Sequence, residues 1–232
     1  MIEIIPTNTC PGDLAELERR SSILAQFVTH VQLDVSDGAF TSARSWPYGE
    51  GQQEELRKLA DGGLPLSGVL TYEVHIMAEE PREMGVSFAR AGVKRIIGHV
   101  EAFADTIEAH GALDAWRVAG AQEAGLALLF DTPLPVIEPL IAACDVVQVM
   151  SIRELGHQGA PFEPRAVERI KELRAAYPEL VIEVDGGVSE SNIAELVRAG
   201  ATRFGVGSAI SKASDPKFSY ENLKSLAESA LE

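Results

Sequence analysis

Short apolar runs alternate with amphipathic stretches eight times along the chain. IEIIPT (residues 2–7), HVQLDV (30–35), LTYEVHIM (70–77), VKRIIGHV (93–100), LALLF (126–130), DVVQVMSI (145–152), LVIEVDGGV (180–188) and ATRFGVG (201–207) are the runs. Their length, their β-branched residues and the turn formers that bound them predict strands. Pro6 is expected to end the first. Between them the 3.6-residue periodicity predicts helices. The first is capped by the turn Cys10-Pro11-Gly12-Asp13 and carries Leu14, Leu17, Leu24 and Phe27 on its apolar stripe. Others are expected over 52–60, over 81–91 with Gly92 as the C-terminal stop, over 101–124 with a break near Gly111, and over 136–143, 164–176, 192–199 and 222–231.

Eight strand–helix pairs without a linker or a shift in composition predict one domain over residues 1–232. A doubly wound open sheet and a closed (β/α)8 TIM barrel both fit the alternation. Side chains with chemical handles follow strands one, two, three, six, seven and eight, and only a closed barrel gathers those ends at one mouth. The barrel is the predicted fold.

Composition narrows the partners. Of 232 residues 46% are hydrophobic and 24% charged, enough for a sizeable core, and the net charge is −15. That charge argues against nucleic acid or an anionic membrane as partner, and no apolar run approaches the ~20 residues of a membrane span. MIEIIPTNT lacks the basic start and apolar stretch of a signal peptide, and there are two cysteines, Cys10 and Cys144. Both features fit the cytoplasm. An anionic ligand would need local backbone donors rather than a basic field. A small-molecule ligand and further copies of this chain are the expected partners.

The chemistry lies at strand ends. Alternation puts His30, Gln32 and Asp34 on one face of the second strand and Val31, Leu33 and Val35 on the other. If the apolar face meets the helices, the polar set lines the barrel, with Asp34 nearest the mouth. Glu73 and His75 share a face in the third strand, and Asp185 ends the seventh. Carboxylates converging without partners are costly to bury, so a metal or a shared proton is expected among them. Gly186-Gly187 and Gly207-Ser208 form turns whose backbone N–H groups suit a phosphate, with no lysine in either. The stretch 39–51 reads as a lid or as a plain surface loop.

The segments VQLDVSDGAF, YEVHIM, VQVMSIRELGHQGAPFEP, IEVDGGV and GVGSAI, in this order and spacing, resemble the ribulose-phosphate 3-epimerase family over nearly the whole chain. The resemblance implies a ribulose-phosphate-binding barrel that inverts C3 of a ketose phosphate, D-ribulose 5-phosphate to D-xylulose 5-phosphate. It implies Asp34 and Asp185 as the acid/base pair and as ligands of a divalent metal (Zn, Mn or Mg), with His75 as a third ligand. Gln32 stands where the family has a histidine ligand, so a weakened or absent metal is expected. Gly186, Gly187, Gly207 and Ser208 match phosphate-binding turns, and Gly159 matches the glycine loop after the sixth strand. Met77 and Met150 match methionines packed against the reacting carbons, and Thr7 matches a serine. Ser36 and Thr9 depart from a methionine and a leucine, and the loop RELGHQGAPF is altered. Two other readings are a sugar-phosphate lyase or isomerase working without metal and a non-catalytic sugar-phosphate-binding barrel. The D-x-K-x-x-D strand motif of the sister decarboxylases and aldolases is absent.

Overall fold

The computed structural model describes residues 2–231. Eight parallel strands close in sequence order into a barrel: β1 (Glu3–Thr9), β2 (His30–Ser36), β3 (Thr71–Met77), β4 (Arg95–His99), β5 (Glu123–Leu128), β6 (Val147–Met150), β7 (Ile182–Asp185) and β8 (Arg203–Val206). Around them run α1 (Leu14–Leu24), α2 (Gln52–Lys58), α3 (Pro81–Arg90), α4 (Thr106–Ala119), α5 (Ala166–Ala176), α6 (Ile193–Ala199), the short α7 (Ser208–Ser211) and α8 (Pro216–Ser229). This is the TIM barrel predicted from the polar side chains at the strand ends.

Strand alternation sets the layers. Val31, Leu33 and Val35 of β2 pack outward into the main core with Val74 and Ile76 of β3 and Leu17 of α1. Gln32, Asp34, Glu73 and His75 are buried on the opposite face, inside the barrel. At the N-terminal end of the strands the interior is closed by ion pairs. Arg95 reaches Glu3 at 2.9 Å and Arg203 reaches Glu123 at 2.8 Å. Just above them Glu73 and Glu183 are buried, and Gln148 donates to Glu183 at 3.0 Å. Burial first, then the charge of Glu183, raises Glu73 well above the usual carboxylate range. His30 sits at this floor, 4.0 Å from Glu3 and far from the mouth.

Several boundaries differ from the sequence reading. Pro6 does not end β1, which runs on to Thr9. Residues 3–6 of the strand pair with β8 and residues 7–9 with β2, so the missing N–H of Pro6 falls where pairing passes between neighbours. α4 runs unbroken through Gly111, from an Asp105 cap that accepts the Glu108 N–H. It stops at Ala119, and β5 begins at Glu123 rather than at Leu126. In β5 small inward residues, Gly125 and Ala127, alternate with Ala124, Leu126 and Leu128, which weakens the apolar signal at its start. The helix expected over 136–143 is two stretches of 3₁₀ turn, Leu134–Val136 and Glu138–Ala143. α8 begins at Pro216, not at 222, because Asp215 caps it by accepting the Phe218 N–H at 3.0 Å.

Candidate active site

Parallel pairing places Asp34 of β2 level with His75 of β3, while β7 brings Asp185 to the same C-terminal mouth from across β1 and β8. The His75 Nδ1 lies 3.3 Å from Asp34 Oδ1 and 3.3 Å from Asp185 Oδ2. Gln32, one layer below Asp34, donates its Nε2 amide to both carboxylates, at 2.7 Å to Asp34 and 3.2 Å to Asp185. Its Oε1 is buried with no hydrogen-bond partner. A β-carbon at Gly205 would fall 2.7 Å from that oxygen, so β8 needs glycine there to leave room for the amide.

The electrostatics follow from burial. Desolvation, then the charge of Asp185, raises the Asp34 pKa. Burial alone would lower His75, but hydrogen bonds to Asp185 and Asp34 and their charges outweigh it and raise the imidazole to about 9. Without a metal, a cationic His75 therefore stands between two carboxylates at neutral pH.

Asp34, His75 and Asp185 each offer one ligand atom, and these lie within 4.8 Å of one another. Two donors at ~2.1 Å from a tetrahedral ion stand about 3.4 Å apart, close to the spacing here. Two carboxylate oxygens and an imidazole suit a divalent cation, so the trio fits such an ion. Gln32 presents N–H donors to the cluster. To act as the fourth ligand its amide would have to turn.

Strand four, which supplied no candidate from the sequence, adds to the site. His99 at its end is buried, with Nε2 2.9 Å from His75 Nε2. Its Nδ1 is 3.3 Å from Glu101 Oε2. Burial pushes His99 down to about 4, so it is neutral. The signal available in sequence was the His-x-Glu spacing at that strand end.

The remaining candidates gather at the mouth. Thr7, Asp34, Met77, Met150, Gly159, Asp185, Gly186, Gly187, Gly207 and Ser208 all line one cavity of about 50 Å³. Met77 and Met150 pack with Ile152 and Leu155 on its apolar side. The Thr7 hydroxyl is buried without a partner. Gly186 and Gly187 have φ of +105° and +66°. A β-carbon on Gly187 would meet the Phe162 backbone at 3.0 Å. Over the cavity lies the loop after β6. Gln158 anchors it, donating to Thr9 Oγ1 at 3.2 Å and accepting from Ser211 Oγ at 2.8 Å. Thr9, a departure from the family's leucine, is thus one of its anchor points. Lys212, which the turns themselves lack, stands beside this loop, its Nζ 3.9 Å from where a Gly159 β-carbon would lie.

The stretch 39–51 divides in two. Ser45 and Trp46 are buried, and Trp46 donates to Glu55 at 2.7 Å, which fixes that half in the core. Phe40 at the other end packs its ring 4.7 Å from that of His99.

Known proteins share both sequence and architecture with this chain. Residues 8–211 match the ribulose-phosphate 3 epimerase family. The ribulose-phosphate 3-epimerase of Aquifex aeolicus is 37% identical over 166 residues, covering 70% of this chain and 72% of the relative. That of Chlamydia muridarum is 34% identical over 199 residues, covering 83% and 78%. Among solved structures, 3-hexulose-6-phosphate synthase from Salmonella typhimurium superposes with a TM-score of 0.69 at 14% identity, covering 99% of this chain and 100% of the other. That likeness speaks for the fold alone. With its matched span and its relatives at this level of identity, the chain belongs to the ribulose-phosphate 3-epimerase family, isomerases that act on carbohydrate phosphates.

Proposed function

We propose that the protein interconverts D-ribulose 5-phosphate and D-xylulose 5-phosphate by proton transfer at C3. The observation that carries this is the pairing of Asp34 and Asp185. Two buried carboxylates, from strands on different sides of the barrel, close on one mouth and share the Gln32 amide and the His75 ring. Inversion beside a ketone needs a base on one face of the carbon and an acid on the other, and this pair supplies both. Removal of the C3 proton by one carboxylate gives an enediolate, and delivery from the other to the opposite face completes the inversion. Groups of this kind typically contribute ~10²–10⁴-fold each. The raised pKa of Asp34 favours its holding the proton to be delivered.

Asp34, His75 and Asp185 would hold a divalent ion, with Mn²⁺, Mg²⁺ or Zn²⁺ as candidates and Gln32 at the fourth position only with its amide turned. Such an ion, when bound, supplies positive charge to the substrate's oxygens as negative charge develops there. The turns at Gly186-Gly187 and Gly207-Ser208, with Gly159 above them, would take the phosphate through backbone N–H groups. Met77 and Met150 would pack on the carbon chain, and the unpartnered Thr7 hydroxyl would meet a substrate oxygen. The cavity, about 50 Å³, is narrow for a sugar phosphate, and we take the loop anchored by Gln158 to lift for binding. We take the chain as one domain, cytoplasmic and assembling with copies of itself; no helix among the described residues is long and apolar enough to cross a membrane.

The test is direct. Purified protein mixed with D-ribulose 5-phosphate should produce D-xylulose 5-phosphate, followed by NMR. Binding without conversion, with or without added Mn²⁺, would favour the non-catalytic reading instead.

A further inference from the structure

We infer that Glu101, acting through His99, is a positioning residue that holds a hydrogen on His75 Nε2 and so keeps its Nδ1 facing the two aspartates. The inference builds on the proposed metal trio, and its first readout does not depend on metal.

The direction of the chain follows from what each atom can donate. Glu101 Oε1 already accepts the Leu129 N–H at 2.8 Å and the Thr132 hydroxyl. Its Oε2 lies 3.3 Å from His99 Nδ1. A carboxylate with those donors is an acceptor on both oxygens, so His99 Nδ1 carries the hydrogen. A neutral imidazole has one N–H, which leaves His99 Nε2 as a lone pair. That lone pair faces His75 Nε2 at 2.9 Å, so His75 must donate from Nε2. Its Nδ1 is then the atom left to meet Asp34 and Asp185, or a cation between them. The arrangement is held on every side. Both rings are fully buried, Phe40 packs on His99, and Glu101 is tied to the end of β5. Ligating histidines are oriented in this manner by an outer hydrogen-bond partner, and loss of such a partner typically costs 10–100-fold in metal affinity. Here the partner is a second histidine and the carboxylate lies one step further out.

Glu101→Gln keeps the shape and reverses the polarity. Its amide oxygen would stay with the Leu129 N–H and the Thr132 hydroxyl, turning the NH₂ toward His99 Nδ1. His99 would then need its hydrogen on Nε2, where it collides with the His75 Nε2–H. The experiment is ¹⁵N NMR of the imidazoles in metal-free protein, followed by Zn²⁺ titration. The wild type should show His99 in the Nδ1–H form. Glu101→Gln should move His99 to the Nε2–H form and weaken Zn²⁺ binding 10–100-fold, and Glu101→Asp should restore most of both. An Nε2–H form of His99 in the wild type would overturn the assignment, even if the variant fails to fold. So would a Glu101→Gln protein with unchanged tautomer and Zn²⁺ affinity within threefold. A wild type that shows the expected tautomer but binds no Zn²⁺ would uphold the positioning and sink the metal trio.

Discussion

Gln32 reaches across the barrel mouth to Asp185, its Nε2 3.2 Å from the carboxylate Oδ2, although 153 positions separate the two in the chain. The same nitrogen lies 2.7 Å from Asp34. An amide N–H thus occupies the place from which an imidazole could offer a lone pair. Gln32→His should therefore raise the metal content of purified protein and strengthen Mn²⁺ binding by at least ~10-fold, the lower end of what an outer hydrogen-bond partner of a ligand is worth. Calorimetry with Mn²⁺ measures this. Equal affinity in the two proteins would show that the amide is no handicap.

Asp185→Asn and Asp34→Asn each remove a proton-transfer group while keeping the side chain's shape. Each should lower kcat/KM by about 10²–10⁴-fold, with binding of inorganic phosphate unchanged within a factor of about three. A variant that retains a tenth of the activity would remove that aspartate from the acid/base pair.

Gly187 combines a φ of +66° with a Phe162 backbone 3.0 Å from any β-carbon. Gly187→Ala should cost about 1–3 kcal/mol of stability through backbone strain and raise KM for the sugar phosphate markedly while kcat changes less. Urea unfolding and steady-state kinetics read the two effects. An unchanged KM would place the phosphate elsewhere.

The ionisation of His75 makes stability depend on pH once metal is stripped with a chelator. Its pKa is 6.5 when unfolded and about 9 when folded. The stabilisation is therefore fully present below pH 6.5 and lost as pH rises through about 9. A shift of this size corresponds to about 3 kcal/mol. The urea midpoint of the wild type should fall over that interval, and His75→Gln should flatten the fall. His99, neutral when folded, takes up a proton only in the unfolded chain as pH falls to about 6.5 and below, so its effect lies mainly on the acid side of this interval. A midpoint constant from pH 6.5 to 9 would mean that His75 is not cationic in the folded protein.

Much of this site was legible because strand alternation is a strong code. HVQLDV and YEVHIM name their inward residues by parity alone, and parallel pairing then sets Asp34 level with His75. What parity cannot supply is direction within a polar network. Nothing in the sequence says that Gln32 turns its NH₂ rather than its oxygen toward the carboxylates, since that depends on both aspartates arriving from other strands. His99 was missed for a related reason. In VKRIIGHV it follows three residues without a polar side chain, and its partners Glu101 and Phe40 come from two different loops. β5 was misplaced because glycine and alanine, which the narrow barrel requires inside, weaken the apolar run. Pro6 misled because a barrel strand can exchange neighbours midway.

Solvent exchange at C3 tests the central claim most directly. Incubated with D-ribulose 5-phosphate in D₂O, the protein should yield D-xylulose 5-phosphate carrying deuterium at C3, and Asp185→Asn should form product and label together about 10²–10⁴-fold more slowly. Absence of deuterium at C3, or label appearing only at C1, would contradict an epimerase in which Asp34 and Asp185 move the C3 proton.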